Sequence, residues 1–145
     1  MARVGTYLNF ERSTEAALRF YAEVFRTEIS APILRFRDLP PAPGMPPVDP
    51  EIADLVMHAE VPILGGHILM GTDVPGGTGF TLVHGNTVHL TLDPETRAEA
   101  DRLFAGLADG GTVTQPLQPM FWGGYFGTLI DRFGVHWMVN CTAPA

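Results

Sequence analysis

The 145-residue sequence predicts an α+β fold: two βαβββ modules whose mixed or antiparallel sheets form a cup, with the helices on the outer face. A strand–helix–strand–hairpin pattern occurs twice, offset by about 82 residues. Each half carries one amphipathic helix. Each half also ends in a hairpin with one apolar face and one face of polar groups and glycines.

Residues 4–10 (VGTYLNF) are rich in β-formers and predict a first strand. Ser13 is placed to cap a helix, and Thr14 and Glu15 suit its positive end. Ala17, Tyr21, Val24 and Phe25 recur at helical spacing, so the helix covers 14–26. Residues 28–37 read as a second strand, which Pro32, lacking an N–H, assigns to a sheet edge or bulge. From 38 to 54 a proline-rich run neither pairs nor coils and reads as an extended loop, either a lid over a pocket or a surface excursion. Residues 55–63 and 67–73 flank Gly65-Gly66, which suits a tight hairpin. Counting across that turn puts Ile63 opposite Ile68, Val61 opposite Met70 and Ala59 opposite Thr72 on an apolar face. Glu60 then faces Gly71, and His58 faces Asp73.

Residues 74–84 are glycine-rich and turn-like, and the pattern then restarts. Residues 86–92 alternate, with Val88, Leu90 and Leu92 on one face and Thr87, His89 and Thr91 on the other. Asp93 followed by Pro94 signals a helix start. Ala100, Leu103, Phe104 and Leu107 mark its buried stripe, and Gly110-Gly111 stops it. A short strand (112–117) and an aromatic loop (119–124) lead into a last hairpin, 125–131 against 135–141. The turn at 131–134 would pair Ile130 with Val135, Thr128 with Trp137 and Phe126 with Val139. On its other face Leu129 meets His136, Gly127 meets Met138 and Tyr125 meets Asn140. Module one spans about 1–73 and module two about 85–141, within a single domain, 1–145. Two such sheets meeting would enclose a lining of mixed polarity, where small ligands usually bind.

Composition narrows the function. Hydrophobic residues at 46% and charged ones at 17% exclude a disordered chain. No apolar run is long enough for a membrane span. A net charge of −7 disfavours nucleic acid and anionic membrane surfaces. The opening MARVGTYLNF has no signal-peptide core, and the single Cys141 makes no internal disulfide. A cytoplasmic protein is the expectation.

Three segments carry a resemblance. YLNFERSTEAALRFYAEVF (7–25), VHLTLDPETRAEADRLFAGLADGGTVTQPLQ (88–118) and FWGGYFGTLIDRFGVHWMVN (121–140) resemble the PhnB-like branch of the glyoxalase/bleomycin-resistance, or vicinal oxygen chelate, superfamily. The resemblance implies paired βαβββ modules, commonly in a homodimer. In metal-dependent members it implies His and Glu ligands on the first and last strands of each module. Carried over by position, those slots fall near Thr6, Leu69, Thr87 and Met138, none of which is a His or a carboxylate. No cofactor is expected on that basis, and a divalent metal held elsewhere stays open. A methyltransferase label would find no glycine-rich nucleotide-binding turn in this sequence.

The candidates for a ligand pocket are Thr6, His58, Glu60, His67, Thr87, His89, Phe121, Trp122, Tyr125, His136, Met138 and Asn140. His58, His67, His89 and His136 are expected on the cup face, with His58 near Asp73 and Glu60. Such a cluster suits a general base, and equally a solvated charge pair. Phe121, Trp122 and Tyr125 suit stacking on a planar ligand, or rim packing. Gly71 and Gly127 would leave volume in the cup, or mark strand twist. Cys141 reads as a buried hydrophobe. The first expectation is a metal-independent protein that sequesters or senses an unidentified small molecule. The second is a lyase, isomerase or dioxygenase-like enzyme using relocated His and carboxylate groups, and the third is a protein-interaction subunit.

Overall fold

Alternating apolar residues in the first half of the chain build a four-stranded sheet with one helix on one face. In this computed structural model, which describes residues 1–77 and 79–145, the chain divides into two units, 1–82 and 83–145. The first holds β1 (Thr6–Phe10), α1 (Thr14–Phe25), β2 (Ser30–Arg35), β3 (Val56–Pro62) and β4 (Ile68–Asp73). Its sheet order is β1-β4-β3-β2, with β1 parallel to β4 and the other pairs antiparallel. Ala17, Leu18 and Tyr21 of α1 are fully buried, as are Val61 and Leu69 of the sheet. Each large apolar side chain so removed from water contributes about 1.5–3 kcal/mol.

The second unit repeats this plan with β5 (Leu90–Leu92), α2 (Arg97–Ala108), β6 (Thr112–Pro119), β7 (Tyr125–Ile130) and β8 (His136–Cys141). The sheet order is β5-β8-β7-β6, again with the first and last strands parallel. Ala100, Leu103 and Leu107 of α2 are buried, together with Leu129, Trp137, Val139 and Cys141. The α+β class and the repeated βαβββ order are those the sequence predicts. No described helix is long and apolar enough to cross a membrane.

Both hairpins differ from expectation by one residue, for one reason. Each turns through a three-residue loop: Ile63 N–H donates to the His67 carbonyl at 2.8 Å, and Asp131 N–H donates to the Val135 carbonyl at 2.9 Å. The loops end on Gly66 and Gly134, both at positive φ. Ala59 therefore faces Gly71 and Val61 faces Leu69, while Gly127 faces Val139 and Leu129 faces Trp137. A one-residue slip moves every partner to the other face. Asp73 accordingly faces away from His58, and Tyr125 shares the Cys141 side of its sheet. Gly71 and Gly127 do not open volume: a Cβ at Gly71 would meet Thr14 Cγ2 at 2.9 Å, and one at Gly127 would meet Leu117 Cα at 2.8 Å.

The helix caps are also reassigned. Ser13 makes no side-chain cap; Asp73 Oδ1 instead accepts from Thr14 N–H at 3.0 Å. The second helix begins after Thr96, whose hydroxyl accepts from Glu99 N–H at 3.1 Å, and not at Asp93-Pro94. Asp93 Oδ1 instead accepts from Thr142 N–H at 3.3 Å, just past the ends of the parallel strands β5 and β8. The expected strand at 86–92 is shorter, 90–92. Pro32 and Pro116 both fall within register irregularities of edge strands, β2 and β6.

The proline-rich segment leaves the sheet after β2 and returns at β3 with its two ends drawn together. Phe36 N–H donates to Leu55, Arg37 N–H donates to Ala53, and the Arg37 and Asp54 side chains form an ion pair. Between them the loop curls around a cavity of about 510 Å³ lined by Leu39, Met45, Val48 and prolines. The turn-like run at 74–84 has neither helix nor strand among its described residues; its Thr78 lies outside them.

Candidate functional site

In the first unit, α1 covers one face of the sheet, and a hydrogen-bonded relay occupies the other. His58 and Glu60 are two residues apart on β3, so their side chains share a face. His58 Nε2 lies 3.0 Å from Glu60 Oε1. Tyr7 of β1 reaches across Met70 of β4, its register neighbour, and places its hydroxyl 3.2 Å from His58 Nδ1. The two rings stand 5.7 Å apart at 34°. A carboxylate only accepts, so Nε2 carries the proton and Nδ1 accepts from the phenol. Protonation of His58 reverses the second bond, because both ring nitrogens then donate. The Tyr7 O–H is thereby released to donate outward. Tyr7 is 47% exposed, so the relay is open to solvent.

Asp73, expected beside His58, is buried and serves the backbone. Its Oδ1 holds Thr14 N–H and its Oδ2 accepts from Val56 N–H at 2.9 Å. Glu60 takes the place expected for it. Thr6 and His67 pair with each other, Thr6 Oγ1 to His67 Nε2 at 2.8 Å. Thr6 stands opposite the buried Leu69, so this pair belongs to the helix-covered side and not to the relay. A cavity of about 230 Å³ lies nearby, lined by Arg3, Gly5, Gly66, His67 and Met70.

In the second unit, Leu92, Trp137 and Val139 are buried beneath α2, which leaves His89, Thr91, His136, Met138 and Asn140 for the opposite face. His89 and His136 pack edge to face, 5.2 Å between centroids at 77°. Thr87 is exposed and precedes the strand. Phe121, Trp122 and Phe126 form an aromatic chain, with centroids 5.1 and 5.7 Å apart. Phe121 is 97% exposed. The Asn140 Oδ1 is buried and has no hydrogen-bond partner among the described residues.

Tyr125 is a correction: it lies on the α2 side, where its hydroxyl donates to Asp101 Oδ1 at 2.5 Å and Arg97 stacks 5.0 Å above its ring. The bond to Asp101 favours the neutral phenol and raises the Tyr125 pKa, with burial adding to the shift.

The divalent ion of metal-dependent superfamily members does not fit the positions this chain offers. Leu69 has no donor atom, the Thr6 hydroxyl is engaged by His67, and Thr87 and Met138 supply a hydroxyl and a thioether. Zinc and harder ions need imidazole, carboxylate or thiolate. Among the described residues no group of three or more His, Cys, Asp or Glu could hold an ion.

Sequence reasoning left Tyr7 out of the site, because the parallel pairing of β1 with β4 that carries it over Met70 leaves no mark in the strand's own residues.

Residues 2–140 match the protein family described as 3-demethylubiquinone-9 3-methyltransferase. The protein YjdN of Escherichia coli K12 is 33% identical over 147 residues, 92% of this chain and 91% of YjdN. The crystal structure of PA1353 from Pseudomonas aeruginosa is similar at a TM-score of 0.79 and 34% identity, covering 97% of this chain and 98% of that one. The PhnB protein of Bacillus cereus follows at 0.73 and 29%, covering 97% and 99%. A glyoxylase/bleomycin resistance protein/dioxygenase domain from Frankia sp. EAN1pec shares the fold at 0.62 and 18%, covering 97% and 92%.

Proposed function

Because the chain belongs to the PhnB-like 3-demethylubiquinone-9 3-methyltransferase family, on a fold shared with the glyoxalase/bleomycin-resistance proteins, we propose that it is a metal-independent binding protein that sequesters or senses a small organic molecule. The observation that carries this reading is the Tyr7–His58–Glu60 relay on the uncovered sheet face. It presents a phenol, an imidazole and a carboxylate beside the thioether of Met70, and none of the three caps a helix or fills a core. A planar or oxyanionic compound would find donors at one edge of such a site and apolar contact at the other. The absence of a metal in this reading is supported by the slots that the resemblance assigns to one, which hold Thr6, Leu69, Thr87 and Met138, none of them a His or a carboxylate.

A thermal-shift screen of small aromatic and oxyanion compounds, run in excess chelator, tests the reading. A compound at a hundredfold excess over its Kd stabilises the native state by about 2.7 kcal/mol. The expected result is a hit whose shift disappears in Tyr7→Phe and His58→Ala. A hit that requires divalent metal, or that survives both substitutions, overturns it.

The same relay favours a second reading, a lyase or isomerase in which His58, oriented by Glu60, accepts a substrate proton and Tyr7 donates one. Turnover of a hit compound that falls with His58→Ala would select it over simple binding. Methyl transfer, the activity in the family's name, draws no support from the described residues: no glycine pair joins a strand to the start of a helix.

We further propose a homodimer, which the resemblance implies, and a reducing, cytoplasmic setting, which the single buried thiol of Cys141 supports.

A further inference from the structure

We infer that the Tyr7–His58–Glu60 relay binds an oxyanion, a carboxylate on a planar ring being the type, and takes up one proton from solvent with each one bound. The ligand so named rests on the binding reading above and narrows it. With His58 neutral, its Nε2–H donates to Glu60 at 3.0 Å and its Nδ1 accepts from the Tyr7 hydroxyl at 3.2 Å. Both polar protons of the relay are then used within it. Only lone pairs and a carboxylate charge face outward, so an anion meets repulsion and no donor. A proton added at Nδ1 changes both. Nδ1–H donates to the phenol oxygen, the Tyr7 O–H turns outward, and the imidazolium neutralises Glu60. The imidazolium also stands between that carboxylate and the arriving anion. The oxyanion therefore accepts from Tyr7 only in the protonated relay, and by linkage its binding draws the proton in.

Among the described residues, no ionisable side chain besides Tyr7 and Glu60 faces His58 from the strands packed beside it. β2 sets Leu34 opposite it and Ser30 opposite Glu60. β4 sets Met70 opposite Glu60, and Thr72, two residues on, shares that face. Arg35, the next residue of β2, is turned to Glu15 of α1, and Asp73 to the backbone on the helix side. β1 contributes Tyr7, with the uncharged Asn9 beyond it. Arg3, four residues before Tyr7, lines the separate cavity with Gly5 and Met70. The charge that admits an anion therefore comes from His58 itself. The exposed Tyr7 ring and the Met70 thioether offer the ligand's ring an apolar surface beside the hydroxyl.

The test titrates benzoate calorimetrically into the full-length protein at pH 8 and at pH 5, on either side of the range in which histidines titrate. Buffers of different ionisation heat, free of carboxylate and phosphate, count the protons exchanged. One proton should be taken up per benzoate at pH 8 and close to none at pH 5, where affinity should be at least tenfold higher. His58→Gln should abolish the uptake, and Tyr7→Phe should weaken binding at both values. Arg3→Gln should change neither quantity, and near-UV circular dichroism checks the fold of each variant. No benzoate binding, binding at pH 8 without proton uptake, uptake that survives His58→Gln, or binding lost in Arg3→Gln overturns the inference. The two readings fail separately. A neutral or cationic compound whose thermal shift disappears in Tyr7→Phe and His58→Ala, beside a benzoate that does not bind, upholds the binding protein and sinks the oxyanion.

Discussion

Two buried carboxylates organise the backbone around the hairpins. Asp73 holds the first N–H of α1 and the N–H of Val56, while Asp131 Oδ1 accepts from Phe133 and Val135 and its Oδ2 from Trp137 Nε1 at 2.8 Å. Removing Asp73 leaves two backbone donors without their acceptor in a solvent-poor site. Charge-assisted bonds of this kind are worth about 1.5–3 kcal/mol each. Asp73→Ala is expected to lower stability by about 3 kcal/mol in urea unfolding, with much less effect from Ser13→Ala, which removes no side-chain cap. Tyr125 gives a prediction in pH. Its pKa is raised in the folded state, so the bond to Asp101 contributes stability below the ordinary tyrosine range, and that contribution fades as pH rises through the raised value. In Asp101→Asn the phenolate transition, assigned by its loss in Tyr125→Phe, should move to lower pH. Neither carboxylate role was visible in the sequence, because each depends on which face a strand residue occupies, and a turn decides that.

At the scale of elements, the loops between strands carry the decisive information. Helical periodicity placed α1 and α2 within a few residues, since the buried stripes Ala17, Tyr21, Val24 and Ala100, Leu103, Leu107 are set by apolar side chains alone. Strand alternation also sorted β3 and β8 correctly: Ala59 and Val61, and Trp137 and Val139, are buried as expected. Their partners were reversed because the expected turns, at Gly65-Gly66 and at 131–134, give way to three-residue loops at 64–66 and 132–134. Of the candidate site, His58 and Glu60 were legible as a pair from their spacing, and His89 from its alternation with Leu90. Tyr7 was not, since its reach over Met70 depends on β1 lying beside β4. Close packing across elements can be tested at Gly127, where a methyl group would press on Leu117 and on Phe104, Cε2 of which would lie 2.9 Å away. Gly127→Ala should cost about 1–3 kcal/mol by the same unfolding measurement, as overpacked sites do. Gly123→Ala, which has open space around it but a φ of 94°, should cost about 1 kcal/mol through backbone strain alone.

For the whole molecule, the repeat was the most legible feature, because it is written twice and each copy checks the other. The proline-rich run interrupts only the first copy, and its pinned ends let the sheet register continue past it. Prolines also sit where each sheet presents its outer strand. Pro32 in β2 and Pro116 in β6 both fall where the ladder with the inner neighbour is irregular. An open strand edge is a template on which another chain can crystallise its own backbone, and a missing N–H with a local kink spoils that template. These two edges, one of the two in each sheet, are thus protected against indiscriminate stacking by the same device. A crowded solution of this protein should therefore resist fibrous aggregation through the β2 and β6 edges.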